Sequence, residues 1–331
     1  MISTDSKIYI AGHQGMVGAA ILRKLNALGY KNILLQERSQ LDLLRQTEVE
    51  SFFLEEKPDY TFIAAAKVGG IQANQQYPAE FIYENLVIET NLINGAYRAG
   101  CYQLMFLGSS CIYPKYAEQP IEESTLLQST LEPTNEFYAI AKIAGLKMCE
   151  AYNRQYGTDY RCLMPTNLYG PNDNFHPENS HVISALINRF HLAKKKNLES
   201  VTIWGTGEAQ REFLHVDDLA DACCYIAATP EDEYRAELGS RVDHLNVGTG
   251  TDIKISALSR IIANLVGFQG SLEFDTQKPD GTPRKLLDVS KINSLGWHAT
   301  TDLASGLAST YEWFLKNQSE LKNHHNNLTI D

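Results

Sequence analysis

Along the first half of this chain, short apolar runs alternate with stretches in which apolar residues recur every three to four positions. Residues 7–11 (KIYIA) read as a short buried strand. GHQGMVG then opens a helix whose Val17, Ile21, Leu22, Leu25 and Leu28 share one face, and Gly29 ends it. Residues 33–35 form a second strand and 47–56 a helix, which Pro58 separates from a strand over 60–65. A helix over about 78–99 leads into a strand at 103–107. A further helix runs to about Tyr156, followed by a strand at 161–164. Strands and helices alternating at this pitch predict a parallel sheet covered on both faces.

After PTNLYGP (165–171) the pattern loosens, with Gly, Pro and Asn punctuation at 170–180, 205–207, 248–250 and 279–283. Residues 216–228 still read as a sheet-covering helix and 244–247 as a strand, so the chain returns to the main sheet. The expectation is an α/β protein with a doubly wound parallel sheet and a smaller, discontinuous second domain. The first domain takes residues 1–165 plus about 212–250, the second about 166–211 plus 251–316. From Asn317 onward the chain is polar, and NHHNNLTID lacks apolar periodicity, which predicts a mobile tail at 317–331.

Composition narrows the class. With 331 residues, 44% hydrophobic and 21% charged, the chain is an ordinary globular protein large enough for more than one core. A net charge of −11 and no basic run beyond Lys194-Lys195-Lys196 argue against a nucleic-acid partner. No apolar run reaches the ~18 residues of a membrane span, and MISTDSK lacks a signal-peptide core, so a cytoplasmic location is expected. The cysteines at 101, 111, 149, 162, 223 and 224 form no Cys-x-x-Cys pair, and no metal site is expected. All but Cys111 read as reduced packing residues.

Two constellations carry chemistry. Gly12, Gly15 and Gly18 follow the first strand and open a helix, where glycines let the backbone approach a pyrophosphate resting on the helix N-terminus. The second strand ends in Gln36-Glu37-Arg38-Ser39. Glu37 suits a ribose 2′-hydroxyl and Arg38 a 2′-phosphate, which leaves NAD and NADP both open. The other constellation joins GSSCIYP (108–114) to YAIAK (138–142). Tyr138 and Lys142 lie four apart on one helix face, and Ser109 sits at a strand end. A lysine cation is expected to lower the phenol's pKa while the serine holds a carbonyl oxygen. Cys111, two residues beyond Ser109, adds a second acid or base. Trp204 reads equally well as core or as a stacking platform.

The Gly-x-x-Gly-x-x-Gly loop, strand-end serine and Tyr-x-x-x-Lys resemble the extended short-chain dehydrogenase/reductase superfamily, which implies a Rossmann-type fold. GHQGMVG, GSSCIYP, LEPTNEFYAIAKIAG, MPTNLYGPNDNFHPENSHVI, REFLHVDDLADA and KPDGTPRKLLD are similar, over about 7–316, to the GDP-L-fucose synthase family. That resemblance implies an NADP(H)-dependent epimerase–reductase acting on GDP-4-keto-6-deoxy-D-mannose, and a homodimer built on the helix at about 78–99 and the one bearing Tyr138. Ser109, Tyr138 and Lys142 would be the reductase triad, with Cys111 and His181 as base and acid. Cofactor contacts carry over to Gly12, His13, Gln14, Gly15, Met16, Val17 and Gly18, then to Arg38, Leu41, Asp42 and Leu43. They continue at Leu107, Gly108, Ser109, Ser110, Lys142, Pro165, Thr166, Asn167, Leu168 and His181. Substrate contacts carry over to Arg189, Trp204, Arg211, Asp280 and Lys285. One departure is Gln14, where family members commonly have an arginine.

The implied chemistry suits these residue types. A 4-keto group acidifies the protons on carbons 3 and 5, and inversion needs one group to remove a proton and another to return one on the opposite face. A thiol near ~8.5 and an imidazole near ~6.5 bracket neutral pH. A 4-epimerase needs no such pair. A 4,6-dehydratase usually has acidic residues where this chain has Ser110 and Cys111. A non-catalytic nucleotide sensor would not need an intact Ser–Tyr–Lys set.

Overall fold

The computed structural model describes residues 2–176, 180–239, 243–278 and 280–327, with side chains to Gln318. The alternating half folds as its periodicity predicts. β1 (Ile8–Ala11), α1 (Met16–Ala27), β2 (Ile33–Leu34), α2 (Gln46–Glu56) and β3 (Tyr60–Ile63) come first. A short α3 (Ile71–Gln76) then precedes α4 (Pro78–Arg98), β4 (Gln103–Leu107), α5 (Glu136–Tyr156) and β5 (Asp159–Pro165). Pro78 sits in the first turn of α4, where its missing N–H costs nothing. Gly157, in the left-handed region at φ 67°, ends α5.

Beyond β5 the chain forms β6 (Asn167–Tyr169), α6 (Val182–Lys195), β7 (Ser200–Trp204), β8 (Gln210–His215), α7 (Val216–Ala228) and α8 (Glu231–Leu238). Next come β9 (Leu245–Val247), β10 (Asp252–Lys254), α9 (Ile255–Val266), β11 (Ser271–Asp275) and β12 (Arg284–Lys285). The chain closes with α10 (Ser290–Ser294) and α11 (Leu303–Asn327). Residues 317–327 continue α11, a helical extension that their polarity had not suggested. The segment contains no Gly or Pro to stop it, and Gln318 Nε2 lies 3.1 Å from His191 Nε2.

Six parallel strands form the main sheet in the order β2-β1-β3-β4-β5-β9. From β1 the chain moves to β2 on one side and then to β3 on the other, so a crevice opens above the carboxyl ends of β1 and β3. One face packs against α1 and α7 through Ile21, Leu25, Leu219 and Cys223; the other packs against α2, α4 and α5 through Phe53, Leu92 and Leu146. β5 is buried along its whole length, including Arg161. That guanidinium pairs with Asp159 at 2.7 Å and donates to the carbonyls of Ile226 and Thr229, fastening β5 to the end of α7.

A smaller sheet takes β8 as its centre, antiparallel to β10 and parallel to β12 and β6, while β7 and β11 pair separately. Its own core gathers Phe190, Ile203, Phe213, Leu258 and Phe314. Strand β8 feeds directly into α7, which lies on the main sheet, so the two layers share a continuous element. No helix among the described residues is long and apolar enough to cross a membrane.

Candidate active site

The dinucleotide loop is built by backbone crowding. β1 ends at Ala11, and Gly12 turns the chain at φ 86° against the backbone of Ala65, which a Cβ would meet at 2.7 Å. A Cβ on Gly18 would lie 2.2 Å from the Gly12 carbonyl, whereas one on Gly15 would find 3.5 Å and fit. Only Gly12 and Gly18 are therefore demanded by sterics. Gly15 starts α1 without a side-chain cap, and the first turn holds no acidic residue, so its N–H groups face the crevice free for an anion. The buried His13 Nδ1 also lacks a hydrogen-bond partner among the described residues. This cradle fits a pyrophosphate.

Around the loop, Arg38 is exposed in the turn after β2. Leu41 is buried, Asp42 accepts from the Leu44 amide, and the Leu43 carbonyl accepts from Asn91. Leu107 to Ser110 follow the end of β4. A Cβ on Gly108 would stand 2.2 Å from the Met164 sulfur, so a side chain there requires the end of Met164 to shift. Pro165 ends β5; Thr166 and Asn167 both donate to the Glu212 carbonyl, and Leu168 continues into β6.

The reacting groups converge above β4. A short 3₁₀ turn at Ser110–Ile112 follows that strand, and the Ser109 hydroxyl caps it by accepting from the Cys111 amide at 3.2 Å. This turn points Ser109 and Cys111 toward the N-terminal half of α5. There Asn135 Nδ2 lies 3.2 Å from the Cys111 sulfur. From β12, Lys285 Nζ reaches the same sulfur at 3.6 Å. Burial opposes ionisation of the thiol. Lys285, the Ser109 hydrogen bond and His181 more than offset it, and Cys111 sits below its ordinary range.

His181 stands immediately before α6 and is 45% exposed, with Nδ1 4.0 Å from the buried carboxylate of Asp173. Desolvation disfavours its cation. The Asp173 carboxylate, with Cys111 beyond it, outweighs that loss and holds the imidazole above its ordinary range. The two electrostatically coupled groups thus lean toward thiolate and imidazolium.

The expected influence of Lys142 on Tyr138 needs correction. The Lys142 ammonium is buried against Glu89 of α4, 2.9 Å from Oε1, with its charge already paired. Desolvation, then Cys111, then Glu89 push the Tyr138 phenol above its ordinary range, opposed by the Ser109 hydrogen bond. In this state the tyrosine is an acid.

On the far side, Trp204 is 45% exposed, which settles the core-or-platform question against the core. Arg189 and Lys278 carry their charges 6.0 and 5.4 Å from its ring centre. Arg189 donates to the Thr202 carbonyl, and Arg211 to the carbonyls of Gln210 and Asp280. Neither guanidinium has a carboxylate partner among the described residues, and desolvation lowers both. Asp280 is already engaged, accepting from the amide and hydroxyl of Thr206 at 2.8 and 2.9 Å. Lys285 lies on Cys111, a position its assignment to substrate alone did not anticipate. Glu89, Asn135, Asp173 and Lys278 were missed in the sequence; the last three lie inside the motif strings and Glu89 lies outside them on α4, and only their place in the fold marks them.

The NAD dependent epimerase/dehydratase family model matches residues 8–248. The GDP-L-fucose synthase 1 of Arabidopsis thaliana is 57% identical over 96% of this chain and 95% of its own length. The GDP-L-fucose synthase of Escherichia coli K12 is 55% identical over 96% and 99%. Among solved structures, MlghC, the GDP-mannoheptose C4 reductase of Campylobacter jejuni with NADP bound, superposes at a TM-score of 0.86, with 41% identity over 95% of this chain and all of that one. The chain belongs to the NAD dependent epimerase/dehydratase family and, within it, to the GDP-L-fucose synthases.

Proposed function

We propose that this enzyme converts GDP-4-keto-6-deoxy-D-mannose to GDP-L-fucose, inverting carbons 3 and 5 and then reducing carbon 4 with NADPH. The observation that carries this reading is the cysteine on the same turn as the triad serine. Cys111 is held toward thiolate by Lys285, and His181 is held toward imidazolium by Asp173. A redox site alone has no use for such a pair.

Ser109 and Tyr138 would hydrogen-bond the 4-keto oxygen, where charge develops when a neighbouring C–H proton leaves. Cys111 takes that proton and the enolate recovers one from His181 on the opposite face; the thiol then gives up its proton and the imidazole regains one from water, and the cycle runs again at the second carbon. Tyr138 then gives its proton to the same oxygen during reduction. When bound, the reduced nicotinamide supplies the hydride to carbon 4. Gly12 to Gly18 and the start of α1 would hold its pyrophosphate, and Lys142 its ribose.

Arg189 and Arg211, two desolvated guanidiniums without a carboxylate partner among the described residues, supply what a nucleoside diphosphate needs, and Trp204 with its flanking cations offers guanine a stacking face. Residues 1–165 with about 212–250 would be the NADP-binding domain, and about 166–211 with 251–316 the GDP-sugar domain. Arg38 favours NADPH over NADH by offering a cation to the 2′-phosphate. Arg38→Ala should lower the ratio of NADPH to NADH turnover, and an unchanged ratio removes it from that role. Exposed Tyr83 on α4 and Phe137 and Ile140 on α5 would be covered in a homodimer. Sedimentation velocity should give twice the chain mass; a monomer contradicts this.

The product decides the assignment. Incubated with the keto sugar and NADPH, the enzyme should yield a 6-deoxy sugar of L-galacto configuration by NMR. A 6-deoxy-D-mannose or 6-deoxy-D-talose product, reduced without inversion, would contradict the epimerase half.

A further inference from the structure

Lys142 is built into the centre of the protein with its own counter-ion. Its Nζ lies 2.9 Å from Glu89 Oε1, and the two side chains are 2% and 1% exposed. Neither Glu89 oxygen has another hydrogen-bond partner among the described residues. The pair is accommodated by Gly145 on α5, where a Cβ would stand 2.5 Å from the Phe106 ring and 2.7 Å from Glu89 Oε2. The ammonium also rests 4.8 Å from the centre of Phe106 and 5.9 Å from that of Tyr138. Burying a carboxylate beneath a lysine this deeply is costly unless both charges are answered. Here Lys142 answers the carboxylate in part, opposing the upward push of burial on Glu89.

A tyrosine beside an uncompensated lysine ionises readily, because the cation stabilises phenolate by about 1 to 3 pH units. That suits an enzyme that oxidises an alcohol. A ketone reductase needs the reverse, since the carbonyl oxygen must receive a proton and only the phenol can give one.

We propose that Glu89 is a positioning residue for the reduction, holding Lys142 and cancelling its charge so that Tyr138 stays in its proton-donating form. The inference deepens the reductase half of the proposed function and rests on it. The groups facing Tyr138 are Glu89 from α4, Lys142 on its own helix, and Ser109 and Cys111 from the turn after β4. Behind Cys111 stand the cations Lys285, His181 and Arg211, and Cys149 of α5 lies within electrostatic reach of Glu89. Glu89 is the one carboxylate in this set and the group bound directly to Lys142; burial pushes it above the ordinary carboxylate range, and Lys142 opposes that push.

Glu89→Gln keeps the shape and an acceptor for Lys142 but removes the charge. The alkaline limb of NADPH oxidation with the keto sugar should move down by about 1 to 3 pH units relative to wild type. A limb that stays in place overturns the inference. A merely structural role would lower activity at every pH without moving the limb, and that too counts against it. Should the variant not fold, the wild-type protein still decides. The ζ-carbon of ¹³C-labelled Tyr138, assigned by its loss in Tyr138→Phe, should keep its phenol position through about pH 9. Ionisation below that value would reveal an uncompensated lysine and overturn the inference. This titration needs no substrate, so it remains decisive even if wild-type enzyme consumes no NADPH with the keto sugar, a result that would instead sink the proposed reaction.

Discussion

The thiol of Cys111 gathers most of the site's electrostatics on one atom. Lys285 and Asn135 approach its sulfur at 3.6 and 3.2 Å from different elements, and His181 acts on it from a third. Lys285 lies two residues from Leu287, whose amide donates to the buried Glu212 carboxylate. The same carboxylate accepts from Thr249 and Gly250. This knot fixes Lys285 relative to the thiol. A base must be deprotonated to work, so exchange of the sugar's C–H protons should rise with pH through the thiol's titration. Removing the cation raises that titration, and Lys285→Met should move the acid limb of exchange to higher pH. An unmoved limb would return Lys285 to substrate binding alone.

At the scale of elements, the glycine loop separates a required glycine from a tolerated one. A Cβ at position 18 lies 2.2 Å from the Gly12 carbonyl, so Gly18→Ala must displace the loop or α1, and NADPH affinity should fall at least about tenfold. Gly15→Ala meets ordinary contact at 3.5 Å and should bind near the wild-type level. Fluorescence titration of NADPH checks both; equal losses would show that crowding is not what the loop selects. Apolar periodicity located β1 to β5 and α1, α2, α4 and α5 within a few residues, because each buries a stripe against the main sheet, and it missed the short α3. It was silent on β7, β8, β10 and β11. In β7 exposed Thr202 and Trp204 alternate with buried Val201 and Ile203, but such brief half-buried runs do not stand out from the Gly, Pro and Asn punctuation around them. The amphipathic α9 passed unnoticed for a different reason. It packs on α6 in the second core, and no flanking strand pattern announced it.

In the whole molecule, the proposed site draws residues from both sheets, and legibility follows that division. Ser109, Cys111, Tyr138 and Lys142 could be found in the sequence because local geometry holds them: a strand end, a 3₁₀ turn and four positions on one helix. Glu89 could not, because its meaning comes from α4 lying beneath α5, and the influence of Lys142 on Tyr138 was misjudged for the same reason. The reach of Lys285 to Cys111 likewise exists only once β12 joins β8. The central claim is that one site epimerises and then reduces, with Cys111 serving only the first task. It is tested most directly by incubating wild type and Cys111→Ala with the keto sugar in heavy water and reading deuterium at carbons 3 and 5 by NMR. The account predicts incorporation at both carbons by wild type and none by Cys111→Ala, with NADPH binding unchanged. Deuterium entering at the wild-type rate in Cys111→Ala would contradict it.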